Sequence, residues 1–269
     1  MALPIMVLSG NHLINSSVQK MTSELYKYTL EVNMAEPCAE SPIMEMVVNL
    51  QNEARRLDDD TYNAKALAIN TKWQSLSFLR AEIHALDKQY ASSTTLLLLD
   101  KSLIISKIEM YLTTARAIFD IVTYCLTRSL QLSGSAQSFN DLRKRGDLPD
   151  WLADFLSVSM KYDETKSMSK NGWLLNLLTD DAIHGKSLRD FVMHGGTIDL
   201  QCAEQFNGDY RFSFKTRKND QNLYHIEDMV ENVYSGMCGL FNLIIKHLGQ
   251  GLSEIKQSPP AYPSGSAEV

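Results

Sequence analysis

Along most of the chain, apolar residues return every three or four positions, the spacing of one face of an α-helix. Residues from about Ile14 to Val32 follow it, and Pro37 and Pro42 then break the chain. Ser41-Pro42 is a helix start, with proline at the first helical position, and predicts a helix to about Leu57. Asp58-Asp59-Asp60-Thr61 supplies the next start, with acids where a helix dipole favours them. Leu67, Trp73, Leu76, Leu79, Ile83 and Leu86 give that helix an apolar side, and this N-terminal half reads as packing. The strongest helix is expected from about Leu103 to Leu130. Ile104, Ile108, Tyr111, Ala115, Ile118, Val122 and Cys125 form its stripe, widened by Ile105, Leu112, Phe119 and Leu126. A stripe this wide belongs in the centre of a bundle, and Gly134 is expected to end the helix. Arg116 and Asp120 lie one turn apart on it and read as a modest surface bridge.

Shorter elements follow from Ser138 to about Met160, then a polar loop from Lys161 to Gly172 and apolar residues from Trp173 to Leu178. Thr179, Asp180 and Asp181 offer caps for a further helix. After Gly195-Gly196 the period changes to two. Tyr210, Phe212 and Phe214 alternate with Arg211, Ser213 and Lys215, as in a half-buried strand. Lys218-Asn219-Asp220 is a turn, and Asn222 to His225 returns as a second strand, so a hairpin at about 209–225 must lie against helices. The last helix is expected from about Glu227 to Leu248, closed by Gly249-Gln250-Gly251, ahead of a tail with Pro259-Pro260. The expectation is an all-α, up-and-down helical bundle. Residues 1–90 form an N-terminal helical extension packed on the core, 91–250 a helical core with one small hairpin, and 251–269 a disordered tail. No internal repeat is visible.

Composition narrows the class. The 269 residues are 44% apolar and 22% charged, as in globular proteins able to bury a sizeable core. A net charge of -6 argues against a broad electrostatic nucleic-acid binder and leaves room for a local basic surface. Cys38, Cys125, Cys202 and Cys238 stand far apart without a C-x-x-C pair, and two of them fall in apolar helical patterns. Free structural thiols in a reducing cytoplasm are expected. Met1 to Leu8 is apolar but lacks the positive start of a secretory signal. The leucine run at 96–99 is interrupted by Asp100 and Lys101, which argues against a membrane span.

The stretch able to carry chemistry is Leu188 to His194. On a helix at about 100° per residue, Leu188, Phe191 and Val192 share the core side, while Arg189, Asp190, Met193 and His194 take the other. Asp190 and His194 are one turn apart, so the carboxylate can accept a hydrogen bond from the imidazole and fix its tautomer. An oriented imidazole exchanges protons, and a guanidinium holds a phosphate. Gly185-Lys186-Ser187 mimics the end of a phosphate-binding loop, but neither the earlier glycine nor a preceding strand is there. His184 has no partner set for a metal, so neither metal nor cofactor is expected. Arg211, Lys215, Arg217 and Lys218 form the densest basic cluster, read either as a solvated sheet face or as a site for RNA or an acidic partner.

Arg189-Asp190-x-x-x-His194 resembles the signature of the HEPN superfamily, in which Arg is followed by Asn, Asp or His and, at this spacing, by His. The resemblance spans about Thr94 to Leu248. It implies a helical bundle and metal-independent RNA cleavage in a cleft shared by the signature helices of two protomers. There a 2′-hydroxyl attacks the adjacent phosphate and leaves a cyclic phosphate end. By that likeness His194 manages proton transfer, Arg189 binds phosphate and Asp190 orients. Asn is the commoner second residue, so Asp190 adds a negative charge near the phosphate. Toxin–antitoxin or antiviral settings are also implied, with an antitoxin or other protein partner. The alternative is a non-catalytic module of the same type that binds a nucleotide or a protein.

Overall fold

A computed structural model describes residues 42–90, 98–132, 134, 136, 138–161, 172–178, 187–193, 198–204, 210–215 and 224–255. They are mostly helical. In chain order the helices are α1 (Pro42–Leu57), α2 (Asp60–Tyr90), α3 (Leu98–Ser129), α4 (Phe139–Arg143), α5 (Asp150–Ser159), a 3₁₀ turn (Trp173–Asn176), α6 (Leu188–Met193) and α7 (Ile226–Ile255). Strands β1 (Asp199–Glu204), β2 (Tyr210–Lys215) and β3 (Tyr224–His225) lie between α6 and α7. The segment expected as a helix at Ile14–Val32 lies outside the described residues, as do most of the 161–172 loop and residues 256–269. No helix among the described residues is long and apolar enough to cross a membrane.

The α1–α2 turn shows how sequence sets geometry. Asp58 adopts a left-handed backbone, φ 53°, which Asp tolerates better than most residues. The amides of Asp58 and Asp59 then donate to the carbonyls of Arg55 and Ala54, which closes α1. The Asp59 carboxylate accepts from the Tyr62 amide at 2.9 Å and so caps α2. It also meets Arg128 at 2.9 Å and the Tyr124 hydroxyl at 3.4 Å, tying the start of α2 to the end of α3. One aspartate of the acidic run therefore does the capping.

Every residue of the expected α3 stripe is buried except Ile105, which is half-buried. A single apolar cluster takes in Leu50 of α1, Trp73 and Leu76 of α2, Ile118 and Phe119 of α3, and Met237 and Phe241 of α7. The N-terminal helices thus share one core with the rest. Arg116 and Asp120 pair at 3.2 Å, but the joint is more than a surface bridge. Arg116 also donates to the Leu177 carbonyl, and Asp120 accepts from the Phe139 amide, so the pair fixes the 3₁₀ turn and α4 against α3.

Four expectations change. Leu67 is 49% exposed, because the buried positions of α2 run Tyr62, Ala66, Ile69, Trp73, Leu76 and leave it outside the stripe. The stop of α3 is Gln131, φ 51°, whose amide and that of Leu132 return to the carbonyls of Arg128 and Thr127; Gly134 comes later. α7 runs on through Gly249 and Gly251 to Ile255, since glycine costs a helix about 1 kcal/mol and does not forbid it. Where one hairpin was expected, the described strands form a three-stranded antiparallel sheet. β2 pairs with β1 along Leu200↔Phe214 and with β3 along Ser213↔His225, and the sheet rests against α7. The short run of β1 went unread, although Ile198, Leu200 and Cys202 alternate; Ile198 and Leu200 are buried.

Candidate functional site

The signature segment lies on α6. Ser187 caps this short helix: its hydroxyl accepts from the Asp190 amide at 3.1 Å and its carbonyl from the Phe191 amide. The cap is thus the serine of the phosphate-loop mimic, while Thr179, Asp180 and Asp181 lie outside the described residues. Leu188 and Val192 are buried and Phe191 packs against the core, which turns Arg189 and Asp190 to a half-buried position and leaves Met193 50% exposed. Met193 rests on α3, its sulfur 3.4 Å from the Thr113 hydroxyl.

Arg189 Nη1 donates to Asp190 Oδ1 at 2.7 Å, so this carboxylate holds the guanidinium next to it. Arg189 Nε is buried and has no hydrogen-bond partner. A buried donor left in this state costs about 1–3 kcal/mol, and an incoming acceptor such as a phosphate oxygen would relieve it. His194 lies outside the described residues, so the structure brings together two of the three signature side chains. Arg211 and Lys215 are four positions apart on β2 and so share the same parity in the strand period of two. In the pairing register Lys215 stands opposite Asp199 and Arg211 opposite Ala203. Arg217 and Lys218 lie outside the described residues. Among those described, no group of His, Cys, Asp and Glu side chains is placed to hold a metal ion.

Sequence reading missed a second polar cluster, between α2 and α7. Glu231 receives Arg80 in a two-pronged bond, Nε at 2.6 Å and Nη2 at 2.8 Å, and His84 Nε2 at 2.5 Å. His84 Nδ1 lies 3.9 Å from Glu227, and the Arg80 guanidinium lies over the Tyr234 ring. Burial alone would raise the Glu231 carboxyl, but the bonds from His84 and Arg80 outweigh it and bring it down to about 2. Arg80 and His84 are one turn apart, as are Glu227 and Glu231, and that spacing is the only trace in the sequence. Nothing local says that two helices so distant in the chain face each other. With both carboxylate oxygens taken, the cluster joins helices and leaves no free base.

A cavity of about 500 Å³ opens at the end of α3, lined by Leu57, Tyr124, Thr127, Arg128, Gln131 and Leu132 among others. It lies about 21 Å along the helix from Thr113, at 1.5 Å per residue, and so is remote from α6. The Thr127 hydroxyl is buried without a partner, which a single water would satisfy. No family model, characterised protein or solved structure matches the chain.

Proposed function

We propose that the chain is a metal-independent endoribonuclease of the HEPN type, acting in the cytoplasm as a homodimer whose α6 helices meet, in a toxin–antitoxin or antiviral setting. The observation that carries this reading is the half-exposed Arg189–Asp190 pair on a helix, with a guanidinium Nε that lacks an acceptor. Arg189 binds the scissile phosphate. His194, one position beyond α6, takes the proton of the 2′-hydroxyl or delivers one to the leaving 5′-oxygen. The bond from phosphorus to that oxygen breaks as the cyclic phosphate forms. Arg211 and Lys215 on β2, with Arg217 and Lys218 beyond it, supply cations along the RNA backbone.

The test is purified protein incubated with mixed RNA in EDTA, beside Arg189→Ala and His194→Ala. The wild type should leave cyclic phosphate ends and both variants should not; intact RNA with all three, or equal cutting by all three, sinks the reading. In cells, the wild type should slow growth and His194→Ala should relieve it. A second reading, a non-catalytic HEPN-like module binding a nucleotide or protein, is favoured by one feature: Asp190 already occupies Nη1 of Arg189. It predicts nucleotide or partner binding that Arg189→Ala weakens, without any RNA cleavage.

A further inference from the structure

The cavity at the end of α3 is far larger than the one water that would satisfy Thr127. Its volume of about 500 Å³ falls within the range of small-molecule sites, about 300–1,000 Å³. Two left-handed residues turn the chain there, Gln131 at φ 51° and Gly134 at φ 73°. With those turns Leu132 and Ala136 join Leu57 of α1 and Tyr124 of α3 in the lining. All four are half-buried, so each keeps apolar or aromatic surface that a ligand would cover.

The polar part of the lining favours one sign of charge. Among the described lining residues Arg128 alone is charged. Asp59 holds its Nε at 3.0 Å and its Nη2 at 2.9 Å, which orients the guanidinium and leaves Nη1 for another acceptor. Asp59 is itself engaged by the Tyr62 amide and the Tyr124 hydroxyl. Lys65 brings a second cation near, its Nζ 4.7 Å from the centroid of the Tyr124 ring. The end of a helix would by itself favour a cation. Here the carbonyls of Thr127 and Arg128 are already taken by the amides of Leu132 and Gln131. The Thr127 hydroxyl, buried without a partner, remains as a donor. We propose that this cavity binds a small carboxylic acid with an apolar body, its carboxylate on Arg128 and Thr127 and its body on Leu57, Tyr124, Leu132 and Ala136. A cationic ligand would meet Arg128, and a hydrocarbon would leave the hydroxyl of Thr127 unpaired. Inorganic phosphate would bring more charge than one free guanidinium prong answers and would leave the apolar lining uncovered. The site stands apart from the chemistry at α6.

Isothermal titration tests it, with phenylacetate and octanoate as probes, each beside its uncharged primary amide. At least one acid should bind at a single site with a dissociation constant of about 1 mM or tighter. Its amide should bind at least about tenfold more weakly. Thr127→Val keeps the shape of the side chain and removes the hydroxyl. It should raise the melting temperature of the free protein, because an unpaired group is gone, and weaken the acid at least about threefold. Ala136→Trp fills the space and should abolish binding. Arg128→Gln should weaken the acid at least about tenfold and spare the amide. That change also loses the bond to Asp59, so the other two variants, which keep it, carry the decision. Circular dichroism checks that each variant is folded; should Ala136→Trp not be, the two readouts of Thr127→Val decide. No saturable binding by either acid overturns the proposal, as does equal binding of an acid and its amide. Binding that Thr127→Val and Ala136→Trp leave intact puts the acid elsewhere and overturns it too.

Discussion

Gly236 and Gly239 lie one turn apart on α7, and their replacement by alanine should move stability in opposite directions. In a helix interior alanine is favoured over glycine by about 1 kcal/mol, so sequence alone predicts a gain at both. At Gly239 a new Cβ would meet Phe155 Cε2 at 3.7 Å, an ordinary contact, and the gain should be realised. At Gly236 it would fall against the indole of Trp173, with Nε1 only 2.6 Å away and two ring carbons closer still. That ring cannot slide freely, because it lies between Phe119 at 5.6 Å and Phe155 at 6.2 Å between centroids. Overpacking a core costs about 1–3 kcal/mol, and a ring held on two sides belongs at the upper end. The net loss for Gly236→Ala is then about 2 kcal/mol. For a chain of this size each kcal/mol is worth roughly 2–4 °C, so thermal unfolding followed by circular dichroism should show a fall of about 4–8 °C. Gly239→Ala should rise by about 2–4 °C. Trp173→Leu should remove the penalty when combined with Gly236→Ala. A rise with Gly236→Ala alone would refute the claim that Trp173 seats against α7.

The Glu231 carboxyl is depressed to about 2, so it contributes stability that is complete above its unfolded value of 4.5 and is lost as pH falls through 2. Acid unfolding of Glu231→Gln should lack that component between those limits, and an unchanged acid profile would show that the α2–α7 cluster is not formed in solution. Cys125 is fully buried, and burial pushes its thiol up to about 12. Peptide mapping after exposure to a maleimide should find it unmodified in the native protein and labelled once denaturant unfolds the chain. Ser138 caps α4 with a capping box, its hydroxyl taking the Asp141 amide at 3.2 Å while Asp141 takes the Ser138 amide at 3.0 Å. Ser138→Ala should lower stability by about 1 kcal/mol in a urea titration, and no change would mean that the cap frays in solution.

The signature segment was readable to the level of face. Leu188 and Val192 go inward and Arg189, Asp190 and Met193 do not, as helical spacing requires. Its pairing was not readable. Asp190 binds the guanidinium beside it, because an arginine side chain is long enough to fold back on its neighbour, while the expected pairing of Asp190 with His194 lies outside the described residues. Leu67 fails for a related reason. Its position in an amphipathic count is marginal, and only the packing of α2 against its neighbours decides that Ala66 goes in and Leu67 stays out.

What the sequence determined by itself is local. The three-and-four spacing of α3, the Pro42 and Asp59 starts, and the alternation of β2 each follow from backbone periodicity and from capping groups within a few residues. The tertiary structure decided whatever depends on two segments meeting: the Arg80–His84–Glu231 junction, the third strand, the indole against Gly236, and which apolar residues of α1 and α2 stay exposed. These belong to the relative placement of whole helices. Burial drives that placement without direction, so no short window of sequence encodes it.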